Sequence, residues 1–458
     1  MKREHVAATS KLEPVPLRRV LNLREAVALG VGGTIGGGIF VLVGSAIGRA
    51  GPGAVLSFAL AFLVSLLIAL PYAELACRYP LAGGGYAFAR AVLGRHWGFL
   101  MGWDYWGAYL FISGYVTLGF GSYLNSLLGI PSLVGALGLI AFCTIINLLG
   151  VKLSGRVQSL IVLLALVTLV GFGLLGLPHL TMRYYTPWLP NGIGGVISAA
   201  LLAFLAFGGF DMVAAAGEEI KRPERTLPLA ILLTLGGVLG IYLLVTFVTA
   251  GMLPWRTVGA AAAPLDDAAV ALFGPVGRQF MAMAALLTTA ATGNAVLVVT
   301  SRISFAMARD RLFLPQLARL QPRTQVPWLA IVLNGSLLAL IALTGSIALV
   351  AAIGGFLYVL HFLFPLVVLV RLRAQKHSPP AFRTPFPYLV LPLAFAGCVL
   401  LLVASGWLGM TIGLVWLAAG LCAYLTVRFF LGRSSVPVKS QHNPGGNAPP
   451  ARGIPGED

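Results

Sequence analysis

Charged side chains are scarce: only 10% of the 458 residues are Asp, Glu, Lys or Arg, where a soluble globular domain carries about 25%. That scarcity excludes an ordinary soluble domain. Acidic residues are the rarer sign, 14 against 31 basic ones, leaving a formal net charge of +17. In a soluble chain this surplus would point to nucleic acid; in a chain this apolar it serves to hold loops in the cytoplasm, and no nucleic-acid partner is expected. Cysteine is nearly absent. Cys77, Cys143, Cys398 and Cys422 fall in or at the ends of apolar runs with no CxxC spacing, so they read as small packing residues, not a disulfide or metal framework. No hydrolytic triad, metal cluster or GxxxxGK[ST] loop is present, which speaks against an enzyme, an ATP-driven pump and a bound cofactor. The basic N-terminus is not followed by a short apolar segment with a small-residue cleavage site, so the first span is expected to be retained.

Apolar residues dominate, at 58%. Charge-free stretches from Ala50 to Ala73, Thr324 to Val370 and Thr384 to Val427 far exceed the roughly 20 residues needed to cross a bilayer. Gly, Pro and charged clusters divide the chain into about twelve spans, near 25–48, 53–77, 97–124, 130–150, 155–178, 194–219, 227–251, 276–303, 327–344, 346–370, 385–405 and 408–431. With the N-terminus inside, 27 of the 31 basic residues fall on inner segments, and only Arg49, Arg183, Arg256 and Arg278 lie outside. The expectation is an all-α multi-pass protein of the cytoplasmic (plasma) membrane with both termini cytoplasmic. Residues 1–432 would form the transmembrane domain and 433–458, rich in Pro, Gly, Ser and Asn, a disordered cytoplasmic tail. After Gly83, Gly84 and Gly85, the segment holding Tyr86, Phe88, Arg90 and Val92 predicts a helix lying on the inner membrane face.

Span 1 carries six glycines in the nine residues Gly30 to Gly38. Each costs a helix about 1 kcal/mol relative to Ala. Small-xxx-small packing explains Gly44 and Gly48, but Gly36, Gly37 and Gly38 point in three directions and cannot all face one partner. A break is therefore expected there, about 16 Å along the helix from Arg24 and so near the midplane. Span 6 repeats the pattern at Phe207-Gly208-Gly209-Phe210-Asp211, entering from the opposite side. Two broken spans, five apart and oppositely directed, predict a five-plus-five inverted repeat, 25–178 and 194–370, with 385–431 as helices 11 and 12. Unwound backbone in hydrocarbon needs a polar cavity to satisfy it. The helix resuming near Ile39 offers N–H groups to a carboxylate, and the carbonyl ends of the preceding half-helices offer themselves to an ammonium or a cation. A zwitterion fits both, which favours an α-amino acid or related amine.

The motifs Gly33-Thr34-Ile35-Gly36-Gly37-Gly38-Ile39-Phe40, Pro71-Tyr72-Ala73-Glu74-Leu75-Ala76, Pro80-Leu81-Ala82-Gly83-Gly84-Gly85-Tyr86, Gly217-Glu218-Glu219 and Pro223-Glu224-Arg225-Thr226 resemble the amino acid-polyamine-organocation superfamily. Gly102-Trp103-Asp104 and Gly209-Phe210-Asp211 look most like bacterial relatives of cationic amino acid transporters. The resemblance implies a leucine-transporter-type fold of about twelve transmembrane helices, with helices 1 and 6 broken. It also implies secondary active transport by alternating access, with the substrate gripped by Thr34, Ile35, Gly36, Gly37 and Gly38 and by Leu205, Ala206, Phe207 and Gly208. Phe204 or Phe207 would be the aromatic gate, against ordinary core packing. Ala165 stands where many proton-linked relatives carry a Lys, which removes that coupling route.

Other coupling or gating candidates are intramembrane polar residues. Asp211 reads as a cap for the second half of helix 6, against a proton carrier. Asp104 and Glu74 lie toward the inner face, where Arg78 offers Glu74 an ion pair one turn on. Thr288 and Thr289, with Thr292, could ligate sodium, against hydroxyls bonded to their own helix. His361 reads as a hydrogen-bonded bundle histidine. Coupling thus divides among proton symport, sodium symport and amino acid exchange. The partners expected are an amino acid substrate and the lipid bilayer; the alternative function is an amino acid or amine sensor that does not transport.

Overall fold

A computed structural model describes residues 19, 21–79, 84–150, 155–215, 217, 220–375 and 380–432. The expected tail at 433–458, the Glu218-Glu219 pair and Lys152 lie outside these described residues. The described chain is helical, with one isolated parallel bridge between Leu21 and Ile220.

The first helix is in two pieces, α1 (Leu23–Thr34) and α2 (Gly37–Ala50), followed by α3 (Ala54–Arg78), the short α4 (Gly85–Leu93), α5 (Arg95–Leu128), α6 (Ser132–Leu148) and α7 (Gly155–Gly176). A second two-piece helix follows, α8 (Gly192–Ala206) and α9 (Phe210–Ala215), then α10 (Pro223–Met252), α11 (Trp255–Ala260), α12 (Pro264–Phe273), α13 (Pro275–Arg309), α14 (Trp328–Ala342), α15 (Ile347–Ala374), α16 (Pro387–Ala404) and α17 (Gly406–Gly432). Among the described residues, eight helical stretches are long and apolar enough to cross a membrane, and Ser132–Leu148 and Trp328–Ala342 are shorter apolar helices.

Burial separates an inner bundle from a lipid-like periphery. The most apolar windows of Gly192–Ala214 and Ile347–Ala374 are each 72% buried, whereas those of Pro387–Ala404 and Gly406–Thr426 are only 22% and 17% buried. Apolar residues on the outer helices, such as Leu160, Val167 and Val403, are exposed, as expected for surfaces solvated by acyl chains. Through the centre runs α5, packed most extensively on α13 and α15. Its Trp103 and Trp106 interlock with Trp416 of α17 and with Phe313, which ties the peripheral helix to the core.

At the end of the bundle that carries Arg24, polar contacts cross between elements. Asp310 after α13 accepts from Tyr86 of α4 at 2.6 Å and pairs with Arg90. Burial and that carboxylate raise the Tyr86 hydroxyl above its ordinary pKa. The helix expected after the Gly83 to Gly85 run is therefore present, docked by its Tyr and Arg. Glu74 pairs with Arg373 of α15 at 2.6 Å and accepts the Thr384 amide at 2.8 Å, not the expected Arg78. The Pro71-containing end of α3 lies against α15, so a partner from a distant element displaces the local one.

Candidate functional site

The two interruptions have distinct local causes. At the first, Ile35 (φ −81°, ψ 73°) and Gly36 (φ −124°, ψ −134°) leave the helical region. A side chain on Gly36 would run into the Thr292 hydroxyl. At the second, Gly209 has φ +122°, which only glycine tolerates, and an added Cβ would sit 2.5 Å from the Gly33 carbonyl carbon. The breaks therefore interlock backbone to backbone.

Between them lies a cavity of about 20 Å3, lined by Gly33, Thr34, Gly37, Gly38, Tyr109, Ile112, Tyr115, Leu205, Gly208, Gly209, Met212, Thr292, Val296 and Tyr358. That is room for water, not for an amino acid. The first amides of α2 have no preceding carbonyl to bond, and Gly37 and Gly38 both face the cavity. The carbonyl ends also converge: the Tyr242 hydroxyl lies 2.8 Å from the Thr34 oxygen and 2.9 Å from the Ala206 oxygen. One hydroxyl thus touches the C-terminal ends of α1 and α8 together. The hydroxyls of Tyr115 and Thr292, both on the cavity wall, make no hydrogen bond among the described residues.

Asp211, in the first turn of α9, is fully buried behind the cavity. Its Oδ2 accepts from Tyr109 at 2.8 Å and Tyr105 at 3.2 Å, and its Oδ1 accepts from Tyr358 at 2.9 Å and the Gly209 amide at 3.3 Å. The expected capping role survives only in the Gly209 contact. Three tyrosines of α5 and α15 supply the rest, fastening α9 to both helices.

The predicted residues divide accordingly. Thr34, Gly37, Gly38, Leu205 and Gly208 line the cavity. Ile35 and Ala206 are buried beside it, and Gly38 abuts Ala206. Phe207 is packed among Phe58, Phe62 and Tyr242, and Phe204 against Tyr358 and Phe362, so both rings sit in aromatic clusters; neither lines the cavity, though Phe204 backs the lining residue Tyr358. The Thr289 hydroxyl donates to Ala285 at 2.6 Å and that of Thr288 to Ala284, the helix-bonded arrangement; Thr292 is the one of the three at the cavity.

Asp104 is fully buried with neither carboxylate oxygen hydrogen-bonded, and both ring nitrogens of His361 lack a partner as well. His361 is instead held by ring contacts with Tyr105, Tyr358 and Phe362, a correction to the hydrogen-bonded reading. All four cysteines are unpaired, Cys143 and Cys398 are buried, and Cys422 is exposed, so the packing reading does not hold for that one. Gly44 and Gly48 pack closely on Pro264 and Gly259, as small-xxx-small spacing suggests.

Sequence reasoning missed Tyr109, Tyr115, Tyr242 and Tyr358. Tyr105 and Tyr109, one helical turn apart beside the flagged Asp104, were the available signal; Tyr242 and Tyr358 stand alone in apolar runs.

A bundle of long apolar helices with a small cavity at two facing breaks is that of a multi-pass membrane protein. The model of the amino acid permease family matches residues 21–432, and the chain belongs to that family, within the amino acid-polyamine-organocation superfamily. It is similar to the branched-chain amino acid permease BcaP of Bacillus subtilis, 32% identical over 445 residues covering 92% of this chain and 94% of that one. It is also similar to cationic amino acid transporter 4 of Mus musculus, 33% identical over 397 residues, covering 80% of this chain and 61% of that one. A third relative, the methylthioribose transporter of Bacillus subtilis, is 30% identical over 449 residues, 92% of this chain and 95% of that one. The family and the first two of these relatives support amino acid transport, and all three relatives are transporters or permeases, not enzymes.

Proposed function

We propose that the protein is a secondary active transporter that carries α-amino acids across the cytoplasmic membrane by alternating access, binding them between the unwound segments 34–38 and 205–208. The architecture on this reading is twelve spans in a five-plus-five inverted repeat plus two helices, with both termini cytoplasmic.

One observation carries the reading: the amide end of α2 opens onto a cavity that Thr34 and Leu205, at the carbonyl ends of α1 and α8, also line, and the Tyr242 hydroxyl beside it ties those two ends together. Ammonium and carboxylate can be served at opposite edges of one small space, an arrangement suited to a zwitterion. The two unpaired hydroxyls, Tyr115 and Thr292, extend that polar edge. At about 20 Å3 the cavity must expand to admit a substrate, which fits a closed state in a cycle that opens alternately to each side.

Counterflow in proteoliposomes loaded with single amino acids tests this without knowledge of the driving ion. Tyr115→Phe and Thr292→Val remove the free hydroxyls with little change of shape. A hydrogen bond to a charged group contributes about 1.5–3 kcal/mol, so each variant should lose roughly 10- to 100-fold in apparent affinity. Unchanged counterflow in both would overturn the site.

A further inference from the structure

The polar groups of the cavity are consumed in a way that says what the substrate's side chain is. Two hydroxyls are unpaired, Tyr115 and Thr292, and they stand with the amides of Gly37 and Gly38. That set is matched to the carboxylate and ammonium common to all α-amino acids. The apolar side chains of the wall are Ile112, Leu205, Met212 and Val296; Tyr109 and Tyr358 also line it with their hydroxyls engaged by Asp211, and there is no Asp, Glu, Lys, Arg or His among the lining residues.

The nearest acid is not free to serve a cation. Four donors fill the two oxygens of Asp211: Tyr105, Tyr109, Tyr358 and the Gly209 amide. A carboxylate has about four lone-pair sites, so its capacity is occupied. Tyr109 and Tyr358 moreover line the cavity, and Asp211 itself is not among the lining residues. A lysine or arginine side chain would have to displace at least one of these hydroxyls and would meet no other counter-charge. An acidic side chain would find no cation at all. Ile112 and Val296 are β-branched and therefore stiff about χ1, so their part of the wall yields less readily to a flat ring than a flexible wall would.

We infer that the side-chain subsite bounded by Ile112, Leu205, Met212 and Val296 selects a neutral, aliphatic α-amino acid of the leucine, isoleucine or valine kind, against cationic, acidic and aromatic ones. The inference rests on the amino acid transport reading and narrows it. It also separates two relatives whose names differ on this point, one a branched-chain and one a cationic amino acid transporter.

The test is competition in counterflow. Proteoliposomes holding the full chain are loaded in turn with leucine, isoleucine, valine, phenylalanine, lysine, arginine or glutamate, each exchanged against its own labelled form, with the other six as competitors. The expected result is an apparent affinity for the three aliphatic amino acids at least about 10-fold above that for lysine, glutamate or phenylalanine, in line with the tenfold or greater discrimination an apolar pocket gives per side chain. Ile112→Ala should then bring phenylalanine within a few-fold of leucine, and Val296→Asp should raise lysine relative to leucine by 10-fold or more. The wild-type panel stands alone if either variant fails to fold. Wild-type preference for lysine, glutamate or phenylalanine overturns the subsite assignment and leaves amino acid transport intact. Movement of none of the seven, by protein shown folded through its thermal unfolding, overturns the transport reading itself.

Discussion

Helices α11 and α12 lie at the end of the bundle opposite Arg24, the outer end on the proposed orientation. Their docking surface is α2, whose Gly44 meets Pro264 and whose Gly48 meets Gly259. In the first turn of α12, Asp266 is fully buried, and neither oxygen makes a well-formed hydrogen bond. Burial is the main reason its pKa is pushed up to about 7; Asp267 adds to the rise, and the nearby Ser126 hydroxyl and Arg278 oppose it. The other charged side chains of the neighbouring elements are Arg49 at the end of α2, whose guanidinium is engaged by the Ser198 carbonyl, and Arg256 of α11, which lies over Trp255. An exposed Asp titrates near 3.9. The docked state therefore binds the proton more tightly than an undocked one, so docking is favoured as pH falls through 7 and loses that advantage as pH rises above it. From pH 8 to pH 5 the docked-to-undocked ratio should rise by about 100-fold, from these two pKa values. Hydrogen exchange of the 255–273 amides, corrected for the intrinsic pH dependence of exchange, reads this ratio directly. Asp266→Asn should hold the protection high and nearly constant across the range. An Asn variant that keeps the wild-type slope, or a wild type whose protection falls toward pH 5, would refute the argument.

Other consequences of the site can be checked in the same preparations. Gly37→Leu drives a side chain toward Val116, whose Cγ2 is already 2.6 Å from the position of an added Cβ, and should abolish counterflow while the helical circular dichroism persists. Asp211→Asn keeps the shape but removes the charge shared by three tyrosines; uptake should fall by at least about 10-fold, given about 1.5–3 kcal/mol per charge-assisted bond, with the pH profile unchanged in shape. A profile that flattens would make Asp211 the proton carrier. Tyr242→Phe strips the donor from the Thr34 and Ala206 carbonyls and should cost about 1–3 kcal/mol in stability, seen as a lower unfolding temperature in detergent.

What the sequence made legible and what it hid follow from the range of the interactions. The break at Gly36 could be read because three adjacent glycines violate the geometry of any packing face, a strictly local argument, and Gly208-Gly209 repeats it. Gly44 and Gly48 were readable for the opposite reason, since their spacing satisfies one face. Glu74 was misread because the local rule offers Arg78 four residues on, while the partner that wins, Arg373, is 299 residues away. The identity of such a partner depends on which helices pack together, and nothing in a 3.6-residue period encodes that. His361 differs likewise: the rings of Tyr105, Tyr358 and Phe362 pack around it, and neither ring nitrogen makes a well-formed hydrogen bond.

The tyrosines show the same limit at the site itself. A tyrosine in an apolar run is equally a core filler and a polar handle, and only the folded chain assigns the roles. Tyr242 holds two helix ends, Tyr109 and Tyr358 hold Asp211, and Tyr115 holds nothing within the described residues. Because the first three hydroxyls are occupied, the fourth gains significance. On the proposed mechanism, ligand recognition falls to the polar groups that folding left unsatisfied, and the cage around Asp211 keeps a buried charge from competing for the substrate's side chain.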